Sequence, residues 1–132
     1  MKELGKISTL PINRFTDNGA YLALSDGDEL LIPKRYLSGE EIEGDFKEVF
    51  VCTDSEDRPV AVTDYPLALL DQFAVLEVKD VTSIGAFLEW GLEKDLFLPN
   101  SEMRQDVKPG EKVLVFVCVD HRTSRLIGVS KY

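Results

Sequence analysis

The chain has 132 residues, a formal net charge of −9 and a composition that is 44% hydrophobic and 30% charged, near the average for a soluble globular protein and far from disordered or fibrous compositions. No run approaches the roughly 18 apolar residues of a membrane-crossing helix, and the opening Met1-Lys2-Glu3-Leu4-Gly5 lacks the apolar stretch of a secretory signal, so no membrane partner and a cytoplasmic compartment are expected. Seven basic against fourteen acidic side chains in residues 1–64, and eight against ten in residues 65–132, argue against strong non-specific affinity for a polyanion, which depends on Lys and Arg releasing phosphate counterions.

The first predicted strand covers residues 5–15. A second, over residues 19–25, opens on Gly19, is rich in apolar and aromatic residues and ends in the turn pair Asp26-Gly27. Residues 34–37 can make one helical turn between a third and a fourth strand, the fourth over 48–53. A fifth, over 59–63, follows the turn Ser55-Glu56-Asp57. Tyr65-Pro66 then marks a boundary, because proline cannot continue a central strand. The apolar Leu67-Ala68-Leu69-Leu70 that follows packs either between two units or onto one of them. Beyond it the same order returns: strands over 73–81 and 85–90, the latter ending at Gly91, a helical turn over 101–104, a strand over 112–119 and a last one over 126–130. In the strand 112–119, Val113, Val115, Val117 and Val119 take one face and Leu114, Phe116 and Cys118 the other, and both faces are expected to be buried at least in part.

This return is a duplication. A shift of 66 residues lays Asp17-Asn18-Gly19-Ala20-Tyr21-Leu22 over Ser83-Ile84-Gly85-Ala86-Phe87-Leu88, Leu30 over Leu96, Pro33 over Pro99 and Gly44 over Gly110. It also lays Val49-Phe50-Val51-Cys52-Thr53-Asp54 over Val115-Phe116-Val117-Cys118-Val119-Asp120 with no gap. The reading is an all-β protein of two tandem domains, 1–64 and 65–132. Five short strands in some 60 residues, closed to remove their edges, make each an OB-type barrel.

The second unit resembles the S1 domain, the repeated OB-fold unit of the largest bacterial small-subunit ribosomal protein. The likeness is carried by Val81-Thr82-Ser83-Ile84-Gly85-Ala86-Phe87-Leu88, Leu96-Phe97-Leu98 with Ser101-Glu102-Met103, Lys108-Pro109-Gly110-Glu111-Lys112-Val113, Val119-Asp120 and Arg125-Leu126-Ile127-Gly128-Val129-Ser130. Within that superfamily the stretch from Gly85 through Trp90-Gly91 to Leu98-Pro99 looks like the conserved virulence factor B family, cytoplasmic bacterial proteins linked to RNA binding and regulation of gene expression. Members run to about twice this length, with further domains after two such barrels, and the end at Ser130-Lys131-Tyr132 fits a domain border.

The resemblance implies weak binding of single-stranded RNA by stacking rings at Phe87 and Tyr21, with the polar pairs Asp120 and Arg125, and Asp54 and Arg58. An exposed ring stacks on any base for about 1–3 kcal/mol, and Arg holds phosphate in a two-pronged geometry. The ring that S1 domains place before the glycine is replaced by Ile84 and Asn18, and the His of their third strand is missing from both copies. Packing is the competing role for Phe87 and Tyr21. Trp90 and Phe97, whose first-copy counterparts are Leu24 and Leu31, are either further platforms or packing residues between the units. Surface ion pairs are the competing role for the two Asp and Arg pairs.

No chemistry beyond binding is indicated. Neither Cys52 nor Cys118 has a Cys or His at ligand spacing, so both are expected to be buried thiols with no disulfide, zinc or other cofactor. His121 has no nucleophile framed around it, the acidic run Glu40-Glu41-Ile42-Glu43-Gly44-Asp45 lacks the EF-hand pattern, and no phosphate loop, nucleophile elbow or His-Glu-x-x-His motif occurs. A non-enzyme is expected. The acidic balance keeps a second reading open, a protein-interaction scaffold that positions RNA-binding domains beyond the C-terminus.

Overall fold

The computed structural model describes residues 1–132. It divides into two compact units, Met1–Asp64 and Tyr65–Tyr132. The first contains β1 (Ile7–Thr16), β2 (Gly19–Ala23), β3 (Glu29–Pro33), a 3-10 turn (Lys34–Tyr36), β4 (Phe46–Thr53) and β5 (Pro59–Val62). The second contains β6 (Phe73–Thr82), β7 (Gly85–Glu89), β8 (Leu96–Pro99), a 3-10 turn (Asn100–Glu102), β9 (Lys112–Asp120) and β10 (Arg125–Val129).

Each unit is a closed five-stranded barrel. In the first, the order β1-β2-β3-β5-β4 closes where β4 returns to β1, with Ile7 opposite Phe50 and Leu10 opposite Lys47. In the second, β9 returns to β6 in the equivalent register, with Phe73 opposite Phe116 and Leu76 opposite Val113. One parallel pairing completes each barrel, Leu31 with Val60 and Phe97 with Ile127. The interior follows from strand alternation, since only every second side chain can point inward. Ala20, Leu22, Leu30, Ile32, Val49 and Val51 are fully buried, as are Ala86, Leu88, Leu96, Leu98, Val115 and Val117, one repeat later in number.

One expectation is corrected: Cys118 is only half-buried, whereas Cys52 is buried. The outer face of β9 is covered in part, with Phe116 half-buried and Leu114 45% exposed, while Phe50 and Cys52 on the matching face of β4 are buried. The outer side of β6 and β9 carries Phe73, Val75 and Leu114, with the Tyr132 ring edge-on to Phe73 at 5.1 Å. In the apolar stretch after Pro66, Ala68 is buried while Leu67 is exposed, its N–H donated to the Trp90 carbonyl. No helix is long and apolar enough to cross a membrane.

Two irregularities matter for the outer surface. In β1 the register slips between Ile12 and Arg14, and in β6 between Val78 and Asp80. A bulge of this kind leaves one extra residue on the bulged strand. It exposes Asn13 together with Arg14, and Lys79 together with Asp80. The repeat itself holds to Asp54, after which the β9–β10 turn is one residue longer than the β4–β5 turn: the left-handed residue is Asp57 in one and Ser124 in the other. Arg58 and Arg125 are therefore counterparts at a shift of 67.

Candidate nucleic-acid interface

The outer face of the second and third strands is where an OB-type barrel takes oligonucleotides. Across this face of the first barrel runs the row Arg14, Tyr21, Leu31, each opposite the next in register. The second barrel repeats it as Asp80, Phe87, Phe97. Tyr21, Phe87 and Phe97 are half-buried. Phe87 and Phe97 lie with ring centroids 5.1 Å apart at 35°, a continuous aromatic platform over two strands.

Glycine makes the row possible. A Cβ on Gly85 would sit 2.3 Å from the Leu98 carbonyl oxygen and 2.8 Å from the Phe97 ring, so that ring rests on bare backbone. On Gly19 it would sit 2.1 Å from the Ile32 oxygen.

The two rows differ in charge. Arg14 is centred 4.2 Å from the Tyr21 ring centroid and grips Glu29 with two nitrogens, Nε at 3.0 and 3.1 Å from the two oxygens and Nη2 at 2.8 Å. Asn13 donates to the same carboxylate at 2.7 Å. The hydrogen bonds from Arg14 and then Asn13 hold the Glu29 carboxyl below the usual range, and the Glu29 bond raises the Arg14 guanidinium in turn. Opposite Phe87 stands Asp80, with no guanidinium. The cation of that bulge is Lys79, 3.0 Å from Asp95 and 3.7 Å from Glu89, and the Asp95 hydrogen bond pushes its ammonium pKa up.

The expected Asp and Arg pairs flank these rows. The parallel register pairs Leu31 with Val60 and Phe97 with Ile127, so Arg58 and Arg125 stand two residues before the partner that the end of each row meets on the next strand. Asp54 organises its turn, accepting the N–H groups of Glu56 and Arg58 at 2.9 Å and Arg58 Nε at 2.9 Å, while Arg58 also reaches Glu56 at 3.0 Å. The Arg58 side chain remains 70% exposed. Asp120 accepts the Arg122 N–H at 3.0 Å and has Arg122 Nε at 3.6 Å. Asp120 and Arg125 are opposite residues of the β9–β10 hairpin.

Trp90 leaves the candidate surface. It is 3% exposed and donates its indole N–H to the Lys94 carbonyl at 2.9 Å, as a buried indole requires. Sequence reading also missed Arg14, because strict alternation along β1 cannot anticipate a bulge. A signal was present: an acidic residue stands at Glu29 and again at Asp95, and each faces a basic residue in the Asn13-Arg14 or Lys79-Asp80 pair. No group of three or more His, Cys, Asp or Glu side chains is placed to hold a metal ion.

Comparison with known proteins matches a family model described as S1 domain twice, over residues 4–64 and 72–128. YitL of Bacillus subtilis, an uncharacterized protein, is 32% identical over 124 residues, which cover 89% of this chain and 41% of that protein. The crystal structure of a multidomain protein with nucleic acid binding domains from Streptococcus pneumoniae superimposes with a TM-score of 0.79 at 22% identity, over 100% of this chain and 47% of that one. The chain thus spans less than half the length of these relatives.

Proposed function

This chain belongs to the S1 domain family, and from that membership we propose that it binds single-stranded RNA, weakly, through the outer faces of its two barrels. The observation that carries the proposal is the repeated row: an outward ring beside a glycine that nothing larger can replace, in both copies, widened in the second by the Phe87–Phe97 pair. Rings placed in this way stack on bases irrespective of sequence. Arg58 and Arg125 supply donors at the end of each row, with Asp54 and Asp120 shaping the turns that present them. The role is non-catalytic, in the RNA metabolism or gene regulation of the bacterial cytoplasm, in keeping with the likeness to the conserved virulence factor B family.

The net charge of −9 favours one other reading, a scaffold that positions further RNA-binding domains or protein partners. Fluorescence polarisation of a labelled oligouridine against the wild type at two salt concentrations separates the two. Saturable binding supports the RNA reading; none at near-millimolar protein leaves the scaffold.

A further inference from the structure

We infer that Arg14 is a phosphate-binding residue of the first barrel, occupied at rest by Glu29, and that an incoming nucleotide replaces both of its neighbours at once. The phosphate takes the place of the Glu29 carboxylate on the guanidinium, and the base takes the place of the guanidinium on the Tyr21 ring. This rests on the RNA-binding reading and deepens it.

The geometry is that of an anion site already filled by an internal anion. Arg14 offers its planar fork to two oxygens of one carboxylate at 2.8–3.1 Å, the same fork that fits two oxygens of a phosphate. The pair is accessible, with the Arg14 side chain 50% exposed and that of Glu29 26% exposed. The guanidinium stands 4.2 Å from the ring centroid, a distance at which it stacks on the aromatic face a base would use. The components a nucleotide needs, a cation with two parallel donors beside an aromatic face, are thus adjacent and engaged only with each other and with Glu29.

The second barrel supplies the contrast. Asp80 holds the position of Arg14, and the neighbouring cation Lys79 is shared between Asp95 and Glu89. That row offers a bare Phe87–Phe97 platform among acidic side chains. It can stack a base, but no guanidinium lies over its rings to be exchanged for one, and its fork, Arg125, stands on β10 away from the Asp80 position. The duplicated barrels are therefore inequivalent: the first alone exchanges an internal cation–ring and carboxylate pairing for base and phosphate together.

Glu29→Gln removes the competing charge and keeps the shape. Against labelled oligouridine it is expected to bind about 3–10-fold more tightly than the wild type, with the slope of log affinity on log salt steeper by about 0.7, because the Arg14–phosphate contact then no longer frees a carboxylate that takes up a counterion of its own. Arg14→Gln on that background is expected to remove both gains. The Arg14 Nε–H resonance of the 15N-labelled wild type should also move on titration, which tests the exchange without any substitution. Unchanged affinity and slope in Glu29→Gln together with a stationary Arg14 resonance, while Phe87→Ala still weakens binding, would overturn the exchange and leave the RNA reading standing. No binding by either the wild type or Glu29→Gln at near-millimolar protein would overturn both.

Discussion

At the scale of single residues, the candidate interface rests on what a glycine permits and what a ring exposes. Phe87 is half-buried on the outside of its barrel, so trimming it removes a stacking face and little of the core. Phe87→Ala is expected to weaken oligouridine binding about 5–150-fold, the equivalent of roughly 1–3 kcal/mol for a lost stack, with a urea midpoint close to that of the wild type. Gly85→Ala should do the opposite. Its Cβ would meet the Leu98 carbonyl at 2.3 Å, and backbone forced out of such a position costs at least about 2 kcal/mol, measurable as a lower urea midpoint. The thiols divide as well. Cys118, half-buried, should react with a thiol reagent before the buried Cys52, yet slowly, because burial followed by the charges of Glu102, Asp120 and Asp71 pushes its pKa up.

At the scale of elements, the loops between strands are organised by ionised carboxylates. In the connection from the 3-10 turn to β4, Glu41 accepts the N–H groups of Ser38 and Gly39, the Ser38 hydroxyl and Lys47 Nζ, at 2.9–3.0 Å. The Ser38 N–H and then Lys47 hold its carboxyl far below the ordinary range, and its side chain is 8% exposed. In the β4–β5 turn, burial alone would raise the Asp54 carboxyl, but the bonds from Arg58 and Glu56 together outweigh it and hold it low. A carboxylate depressed on folding adds stability that is complete above its unfolded pKa and is lost as pH falls through the folded one. The urea midpoint should therefore be flat from about pH 5 upward and decline below about pH 4, near the unfolded carboxylate range. Glu41→Gln should lower the neutral-pH stability by about 1 kcal/mol, the charge-assisted part of its hydrogen bonds, and make the acid decline shallower.

At the scale of the whole molecule, charge sets the form of any nucleic-acid binding. With 24 acidic against 15 basic side chains, and with the cations beside the rows, Arg14, Arg58 and Lys79, each held by carboxylates, the candidate faces offer few cations to displace phosphate counterions. Wild-type affinity for oligouridine should accordingly change little between 50 and 200 mM salt. A protein making 6–10 phosphate contacts would lose about 10³–10⁵-fold over that range, and a loss of that size here would contradict a binding surface made mainly of rings.

The duplication, the ten strands, the two barrels and the glycine-aromatic rows were legible in the sequence, because strand alternation and turn chemistry are local and the 66-residue shift displays each twice. Phe87 and Tyr21 were expected on an outer face from the resemblance to S1 domains alone, and in the barrels both are half-buried there while Leu22 and Leu88 beside them point inward. What tertiary structure alone decided depends on register between strands distant in the chain. The bulges at Asn13 and Lys79 break the alternation without changing composition, so only the fold shows Arg14 over Tyr21 and clasped by Glu29, sixteen residues from Asn13. The fold also buried Trp90, just past the end of β7 with its indole on the Lys94 carbonyl, and left Leu114 and Cys118 partly in solvent, since a strand's sequence says that its two faces differ but not which neighbours will cover the outer one.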